Sequence, residues 1–249
     1  MTYLFLGIFG LVIGTFVVLF GGGGAAIYLG LLTGLLGLPA ASAASTSLVT
    51  VLPSLIVGAW TYYRQGKVKV KLGNQMLITA VPAVVIGSLV SKLIPDHLYK
   101  WIIGIVLIIL GLNMLFQKSQ ASGPSNKLSR SIQIKAGLFG IVGGLMVGVA
   151  GMSGGAPIIA GLFLMGLPTI NAAATSAYVL VFMSAIGTIF HIAGGQVDWS
   201  VGISLMIGSL VGAAIAPTLL NKLTQTKAGN YLKPLIAIFL AALGLKTLF

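Results

Sequence analysis

The sequence predicts an all-α protein that crosses a membrane several times and is built from two related halves. Composition is the first reason, because 57% of the 249 residues are hydrophobic and only 6% are charged, whereas a soluble domain carries about 25% charged residues. The apolar runs are also continuous rather than alternating, which favours spanning helices over a closed β-barrel. The two halves are indicated by a duplicated motif.

This duplication consists of short stretches with the same internal spacing. Gly37-Leu38-Pro39 precedes Ala-Ala-Ser-Thr-Ser at 43–47, and Gly166-Leu167-Pro168 precedes Ala-Ala-Ala-Thr-Ser at 172–176. The match continues downstream, where 66–70 falls opposite 195–199, and a glycine cluster lies upstream of each stretch. We therefore assign residues 1–120 to a first transmembrane repeat, 121–132 to a linker loop and 133–249 to a second transmembrane repeat.

Each half contains similar apolar segments, at 3–37, 43–63, 72–94 and 97–117 in the first and at 136–166, 172–194, 199–221 and 230–248 in the second. The opening segment of each half is too long for one crossing of a hydrocarbon core about 30 Å thick. The glycine clusters interrupt it, which predicts helical pieces near 3–20 and 25–37 and a corresponding break near 151–155. A second span and a re-entrant hairpin both fit this pattern.

The basic residues predict how the segments are oriented. The chain carries 14 Lys and Arg against two acids, and the bases lie mainly in loops, as cytoplasmic loops require. Nucleic-acid binding is therefore a poor interpretation of the net charge. An odd number of crossings per half places the basic loops at 64–71, 118–135 and 222–233 on one side and the loop near Asp198 on the other. The fold expected is two inverted repeats of about four to five helical segments each, with broken or re-entrant helices at the glycine clusters.

These residues resemble the TauE/SafE family of sulfite exporters. The family pattern in each half is a glycine-rich stretch, an apolar run that ends in Pro, and then Ala with a Thr-Ser pair. Both halves of this chain show that order, except that the first lacks a counterpart of Pro157. The resemblance implies a permease of the plasma membrane that exports a small anion, with sulfite or organosulfonates as typical substrates.

Candidate binding residues follow from the repeated features. The glycine clusters offer free backbone N–H groups at helix breaks, where an anion can bind, although close helix packing explains the same residues. The Thr-Ser stretches supply hydroxyls and an amide at helix starts, where they either cap the helix or bind an anion. If the repeat symmetry brings both starts together, they form one uncharged cradle. The candidates are Gly22, Gly23, Gly24, Ser45, Thr46, Ser47, Ser153, Gly154, Gly155, Asn171, Thr175 and Ser176.

His191 is a further candidate, because it is the one imidazole that lies away from the first residue of an apolar segment, and an imidazole can change its charge near physiological pH. No Asp or Glu lies within an apolar segment, which argues against a cation carrier. We expect no metal and no cofactor. The partners expected are a small anionic substrate and membrane lipid, and the sequence leaves the oligomeric state open.

An enzyme is the rival interpretation. The stretch 151–154, Gly-Met-Ser-Gly, resembles the Gly-x-Ser-Gly motif of rhomboid intramembrane proteases, and Ser153 with His191 would then form a catalytic dyad. This interpretation ranks below the transporter, because the first half has only glycines at the matching place. We therefore expect a protein that is not an enzyme.

Overall fold

The computed structural model describes residues 2–19, 24–34, 36–90, 130–151, 153–194 and 197–225, with isolated helical positions in 101–115 and 231–245. Every regular element in these ranges is helical, as the sequence predicts. The helices are α1 Thr2–Leu19, α2 Gly24–Gly34, α3 Ala40–Arg64, α4 Val70–Val90, α5 Arg130–Ala150, α6 Gly155–Leu164, α7 Thr169–Gly194 and α8 Trp199–Thr224. The expected segments 97–117 and 230–248 lie almost wholly outside the described residues, as do 121–129 of the expected linker, while 130–132 belong to α5.

Five of these helices are long and apolar enough to cross a membrane, namely α3, α4, α5, α7 and α8. On α8 the exposed side chains form a stripe of large apolar residues at 203, 207, 211, 215 and 219, and the opposite face is buried. A stripe of this kind is unfavourable in water and suits contact with lipid tails. The protein is therefore a multi-pass membrane protein.

The opening segment of each half forms a hairpin and not one continuous helix. Tyr28 on α2 donates its hydroxyl to the carbonyl of Gly10 on α1 at 3.3 Å, although 18 residues of straight helix would separate them by about 27 Å. In the second half Ile158 packs 3.0 Å from a Cβ built on Gly143, which requires the same fold-back. The return helices have 11 and 10 residues, about 15 Å, which is too short to span. Each opening segment therefore folds back on itself within the bundle.

The duplicated Gly-Leu-Pro sequence forms the turn that follows each return helix. Gly37 and Gly166 have φ values of 63° and 85°, a conformation that favours glycine at the end of a helix. The proline two residues later immediately precedes the first residue of the next helix, where a backbone N–H would have no partner within that helix. Its carbonyl then accepts from the N–H of Ala43 at 2.8 Å and, in the second half, of Ala172 at 2.9 Å.

The main helix pairs join one half to the other. α1 packs along α8, and α5 packs along α4. Glycines allow close backbone approach in both pairs, because a Cβ on Gly208 would overlap the carbonyl of Gly7, and one on Gly148 would overlap the carbonyl of Val84. The successive contacts show that α1 and α8 run in the same direction, as do α4 and α5.

The basic residues that the structure describes lie at one end of this bundle. α3 ends at Arg64, and a short turn returns the chain into α4, so α4 begins where α3 ends. α5 runs parallel to α4, and α8 runs parallel to α3, so the start of α5 and the end of α8 lie at that end too. The described basic residues all lie there, namely Arg64, Lys67, Lys69, Lys71, Arg130, Lys135 and Lys222. We call it the basic end, and the other the Asp198 end.

Candidate functional site

Thr46 makes a contact between the two halves at the Asp198 end. It lies in the second turn of α3 and is fully buried. Its Oγ1 accepts a hydrogen bond of 3.0 Å from the backbone N–H of Asp198, the residue that caps α8. The Asp198 carboxylate in turn accepts from the N–H of Val201 at 3.1 Å. The start of α8 is thus attached to α3 through one threonine hydroxyl.

Thr175 makes the corresponding contact at the basic end. It is fully buried in the second turn of α7, and its Oγ1 accepts from the backbone N–H of Lys69 at 3.0 Å. Thr175 matches Thr46 in the duplicated motif, and Lys69 matches Asp198, so the two contacts are equivalent. Asn171 strengthens this one, because its side-chain amide donates to the carbonyl of Lys67 at 2.7 Å.

The two helix starts do not come together, so the expectation of one shared cradle is wrong. Thr175 contacts Lys69, which follows the end of α3, whereas Thr46 lies 18 residues before Arg64, about 27 Å along that helix. α3 and α7 also run antiparallel, since a Cβ on Gly187 near the end of α7 would lie 3.7 Å from Leu48 near the start of α3. Equivalent polar clusters therefore lie at opposite ends of the bundle.

The hydroxyls at each helix start differ in their bonding. Ser47 donates to the carbonyl of Ala44 at 2.9 Å, which satisfies it locally. Ser45 and Ser176 are buried, and neither is without an interaction partner. Thr46 and Thr175 accept one bond each, and neither hydroxyl proton has an acceptor among the residues that the structure describes. Each threonine can therefore donate one hydrogen bond to a ligand.

The described members of the glycine clusters lie where the second helix of each hairpin begins. Gly22 and Gly23 are outside the described residues, and Gly24 is the first residue of α2. Gly154 and Gly155 begin α6 and are buried, and a Cβ on Gly154 would overlap the carbonyl of Gly143. Close packing at the hairpin is thus one established reason for glycine there.

The geometry around Ser153 favours the transporter interpretation over a protease. Ser153 is buried, and its Oγ accepts from the N–H of Gly155 at 3.3 Å. The neighbouring Gly154 packs against Met183 of α7, and His191 lies eight residues further along that helix, about 12 Å. A catalytic dyad requires about 3 Å between the serine and histidine side chains. The side chain of His191 lies outside the described residues.

Other buried hydroxyls hold α3 and α8 together. Ser54 donates to Ser209 at 2.6 Å, and Ser209 donates to the carbonyl of Met206 at 2.9 Å. Thr50 lies one turn before Ser54 and donates to the carbonyl of Gly202 at 3.5 Å. These groups satisfy one another, so their role is in helix packing.

The sequence interpretation missed two hydroxyls on α7. Ser184 and Thr188 are buried, and neither side-chain oxygen has a hydrogen-bond partner in the described part of the chain. Their spacing of four residues within an apolar segment places them on one helix face, and that spacing was the available signal. The described residues also contain no group of His, Asp and Glu able to hold a metal ion.

The chain is similar in sequence to proteins described as probable membrane transporters. The chain is 28% identical over 227 residues to "Probable membrane transporter protein YdhB" of Bacillus subtilis (strain 168), covering 87% of this chain and 91% of that protein. It is 27% identical over 203 residues to YunE of the same organism, covering 74% and 73%. A probable membrane transporter protein of Xylella fastidiosa (strain 9a5c) is 25% identical over 218 residues, covering 84% and 81%.

The family comparison covers still more of the chain. The family model described as "Sulfite exporter TauE/SafE" matches residues 6–247, which include both hairpins, both Gly-Leu-Pro turns and both threonine contacts. The resemblance read from the duplicated motif is thereby confirmed. This chain is a membrane transporter that belongs to the sulfite exporter TauE/SafE family.

Proposed function

We propose that the protein exports a small sulfur oxyanion, either sulfite or an organosulfonate, across the plasma membrane. The observation that carries the proposal is the equivalent pair of buried threonines, Thr46 and Thr175. Each ties the start of a helix from the other half to its own, and each retains a proton to donate. The description of the family supports the substrate class.

An uncharged path suits this substrate. Hydroxyl and backbone N–H donors bind the oxygens of an anion without the strong attraction of a fixed cation, which would hold the anion in place. The described spanning helices contain no carboxylate, and their basic residues lie at one end. That end is cytoplasmic by the positive-inside rule. An interior-negative potential then favours the exit of each negative charge by about 2.3 kcal/mol per 100 mV.

We infer that the halves form an inverted repeat, and that the threonine contacts close its two ends. The helix directions support this, because α1, α3 and α8 run one way while α4, α5 and α7 run the other. Loss of the Lys69–Thr175 bond would loosen the cytoplasmic end of the bundle. Loss of the Asp198–Thr46 bond would loosen its outer end. Alternating access follows if the two bonds break in turn. The site residues are then Thr46 and Thr175, with Ser45, Ser47, Asn171, Ser176 and the hairpin glycines around them.

Flux from proteoliposomes tests the proposal. Vesicles that contain the purified protein are loaded with sulfite, methanesulfonate or taurine, and release is compared with that from protein-free vesicles under an imposed potential. We expect faster release of at least one of these compounds, and inside-negative vesicles should release the anions faster than vesicles without a potential. Equal release from both preparations for the whole panel would refute the substrate class.

The protease alternative has its own test. A serine nucleophile in a dyad reacts with fluorophosphonate probes, and Ser153→Ala would abolish the labelling. We expect no labelling of Ser153, because its hydroxyl is buried and bonded within its own turn. Labelling that depends on Ser153 would overturn the transporter interpretation.

A further inference from the structure

Ser184 and Thr188 are the buried hydroxyls that the helix contacts leave without a role. Ser184 is fully buried, and Thr188 is 9% exposed. Among the described residues neither oxygen has a hydrogen-bond partner. A buried polar group without a partner destabilises a fold, so each such group in a native protein calls for an explanation.

The usual solution for a hydroxyl in a membrane helix is available but not used. Serine and threonine in such helices normally donate to the carbonyl three or four residues earlier. This chain does so elsewhere, since Thr61 donates to the carbonyl of Val57 at 2.8 Å and Ser204 to that of Ser200 at 2.9 Å. The hydroxyls of Ser184 and Thr188 differ from these in remaining available as donors.

Both side chains point into the bundle. They lie on the face of α7 opposite Phe182 and Ile189, which are 44% and 68% exposed and face lipid. Gly187, between them on the same face, packs against α5, because its Cβ would lie 2.6 Å from Val147. The Ser184–Thr188 pair is therefore turned towards other helices and away from lipid.

The pair also lies at the level of the Thr46 contact. The same Cβ on Gly187 would lie 3.7 Å from Leu48, and Leu48 is two residues from Thr46 on α3. Thr46 has a hydroxyl proton without an acceptor in the described part of the chain. Thr46 on α3 and the Ser184–Thr188 pair on α7 thus lie at about the same height in the bundle, near its Asp198 end, although Thr46 and Leu48 point to different sides of α3.

We propose that Ser184 and Thr188 form a hydrogen-bond donor pair that binds the oxygens of the transported anion at this height. The proposal rests on the proposed function and adds its binding residues. Side chains four residues apart on a helix are about 6 Å apart, so two hydroxyls can donate to different oxygens of one small oxyanion.

The pair belongs to one half only. The duplicated motif places Leu55 and Ala59 of α3 opposite Ser184 and Thr188, and both are apolar and buried. The layer around the Thr175 contact therefore has no equivalent pair on α3. The binding position lies off-centre, towards the Asp198 end, which is the exit side for export.

Concentration-dependent flux of Ser184→Ala, Thr188→Val and the double variant tests the pair. These changes keep the volume nearly constant and remove only the donors. We expect KM for the transported anion to rise about three-fold to ten-fold for each single change, by analogy with the loss of one hydrogen bond, and more for the double variant. Thr188→Ser retains the hydroxyl and should restore the wild-type KM. Thr61→Val and Ser204→Ala are matched controls, because those hydroxyls are bonded to their own helix.

The outcomes separate this inference from the proposed function. Wild-type flux with an unchanged KM in the double variant overturns the donor pair and leaves the transporter intact. Absence of wild-type flux for every sulfur anion overturns the proposed function, and this inference with it. Should the double variant fold poorly, the KM of Thr188→Val and its recovery in Thr188→Ser decide the question. Equal KM values for these two single variants would also refute the pair.

Discussion

Two groups of buried hydroxyls in this transporter differ in what they bind. On α3, Thr50 and Ser54 find partners on α8, and Ser209 closes the group with a bond to its own helix. On α7, Ser184 and Thr188 find none within the described residues. The hydroxyls on α3 therefore connect helices, whereas those on α7 remain available for a ligand. The two halves share one arrangement of helices, but their buried hydroxyls lie at different positions and differ in their hydrogen bonding.

Both groups of hydroxyls depend on close packing between the helices, and disrupting that packing should have the largest effect. A Cβ on Gly208 would overlap the carbonyl of Gly7, which is backbone and cannot rotate away. We expect Gly208→Ala to lower the stability of the detergent-solubilised protein by about 3 kcal/mol, the upper part of the range for overpacking. Gly7→Ala is the matched control, because its nearest neighbour, the carbonyl of Ser204, is 3.9 Å away. Thermal melting curves that shift equally for both variants would contradict the close approach.

The threonine contacts are the feature that the halves share, so they should respond alike. Thr46→Val and Thr175→Val keep the side-chain shape but remove the acceptor for Asp198 and Lys69. We expect each to reduce transport about ten-fold, the effect of one strong hydrogen bond, while Thr46→Ser and Thr175→Ser retain activity. Flux measurements in proteoliposomes give the comparison. Wild-type kinetics in both valine variants would remove the threonines from the site.

The sequence revealed the duplicated plan because its markers are local. The glycine breaks, the Gly-Leu-Pro turns and the Thr-Ser pairs each depend on neighbouring residues, so repetition alone locates them. The relation between the two Thr-Ser pairs depends on the direction of α3 against α7, which no local pattern contains. The spacing of Ser184 and Thr188 places them on one helix face, but the absence of a hydrogen-bond partner depends on the neighbouring helices, which the sequence does not show.

The two hydrogen-bonding groups of Asp198 have different partners at the start of α8. Its carboxylate caps the helix, whereas its backbone N–H donates to Thr46. Asp198→Ala removes the cap and leaves the Thr46 bond, so we expect a loss of about 1 kcal/mol with little change in transport. Asn caps well, so Asp198→Asn should retain most of that stability. Melting temperatures of the three proteins at pH 7 provide the measurement, and equal values for Asp198→Ala and wild type would contradict the cap.

The pH dependence of the cap follows from the same contacts. The Ser200 hydroxyl, followed by the Val201 N–H, holds the pKa of the Asp198 carboxyl below its usual value, which is about 3.9. The ionised form stabilises the fold fully above that usual value, and this stabilisation is lost as the pH falls through the lowered pKa. The difference in melting temperature between wild type and Asp198→Ala should therefore stay constant from about pH 5 to 8 and become smaller in stronger acid. If this difference in melting temperature changed near neutral pH, a group other than the Asp198 carboxyl would be responsible for it.

The smallest expected effect comes from a hydroxyl on α3, and it tests directly whether the hydroxyls on α3 and α7 have different roles. Ser54→Ala removes a satisfied hydroxyl, and Ser209 keeps its bond to Met206. Membrane hydrogen bonds of this kind contribute about 0.6 kcal/mol, so the melting temperature should fall slightly and KM should stay at the wild-type value. Ser184→Ala should do the reverse, since removing an unpartnered hydroxyl costs the empty protein nothing and deprives the anion of a donor. If Ser54→Ala raised KM as much as Ser184→Ala, the division between connecting and binding hydroxyls would fail.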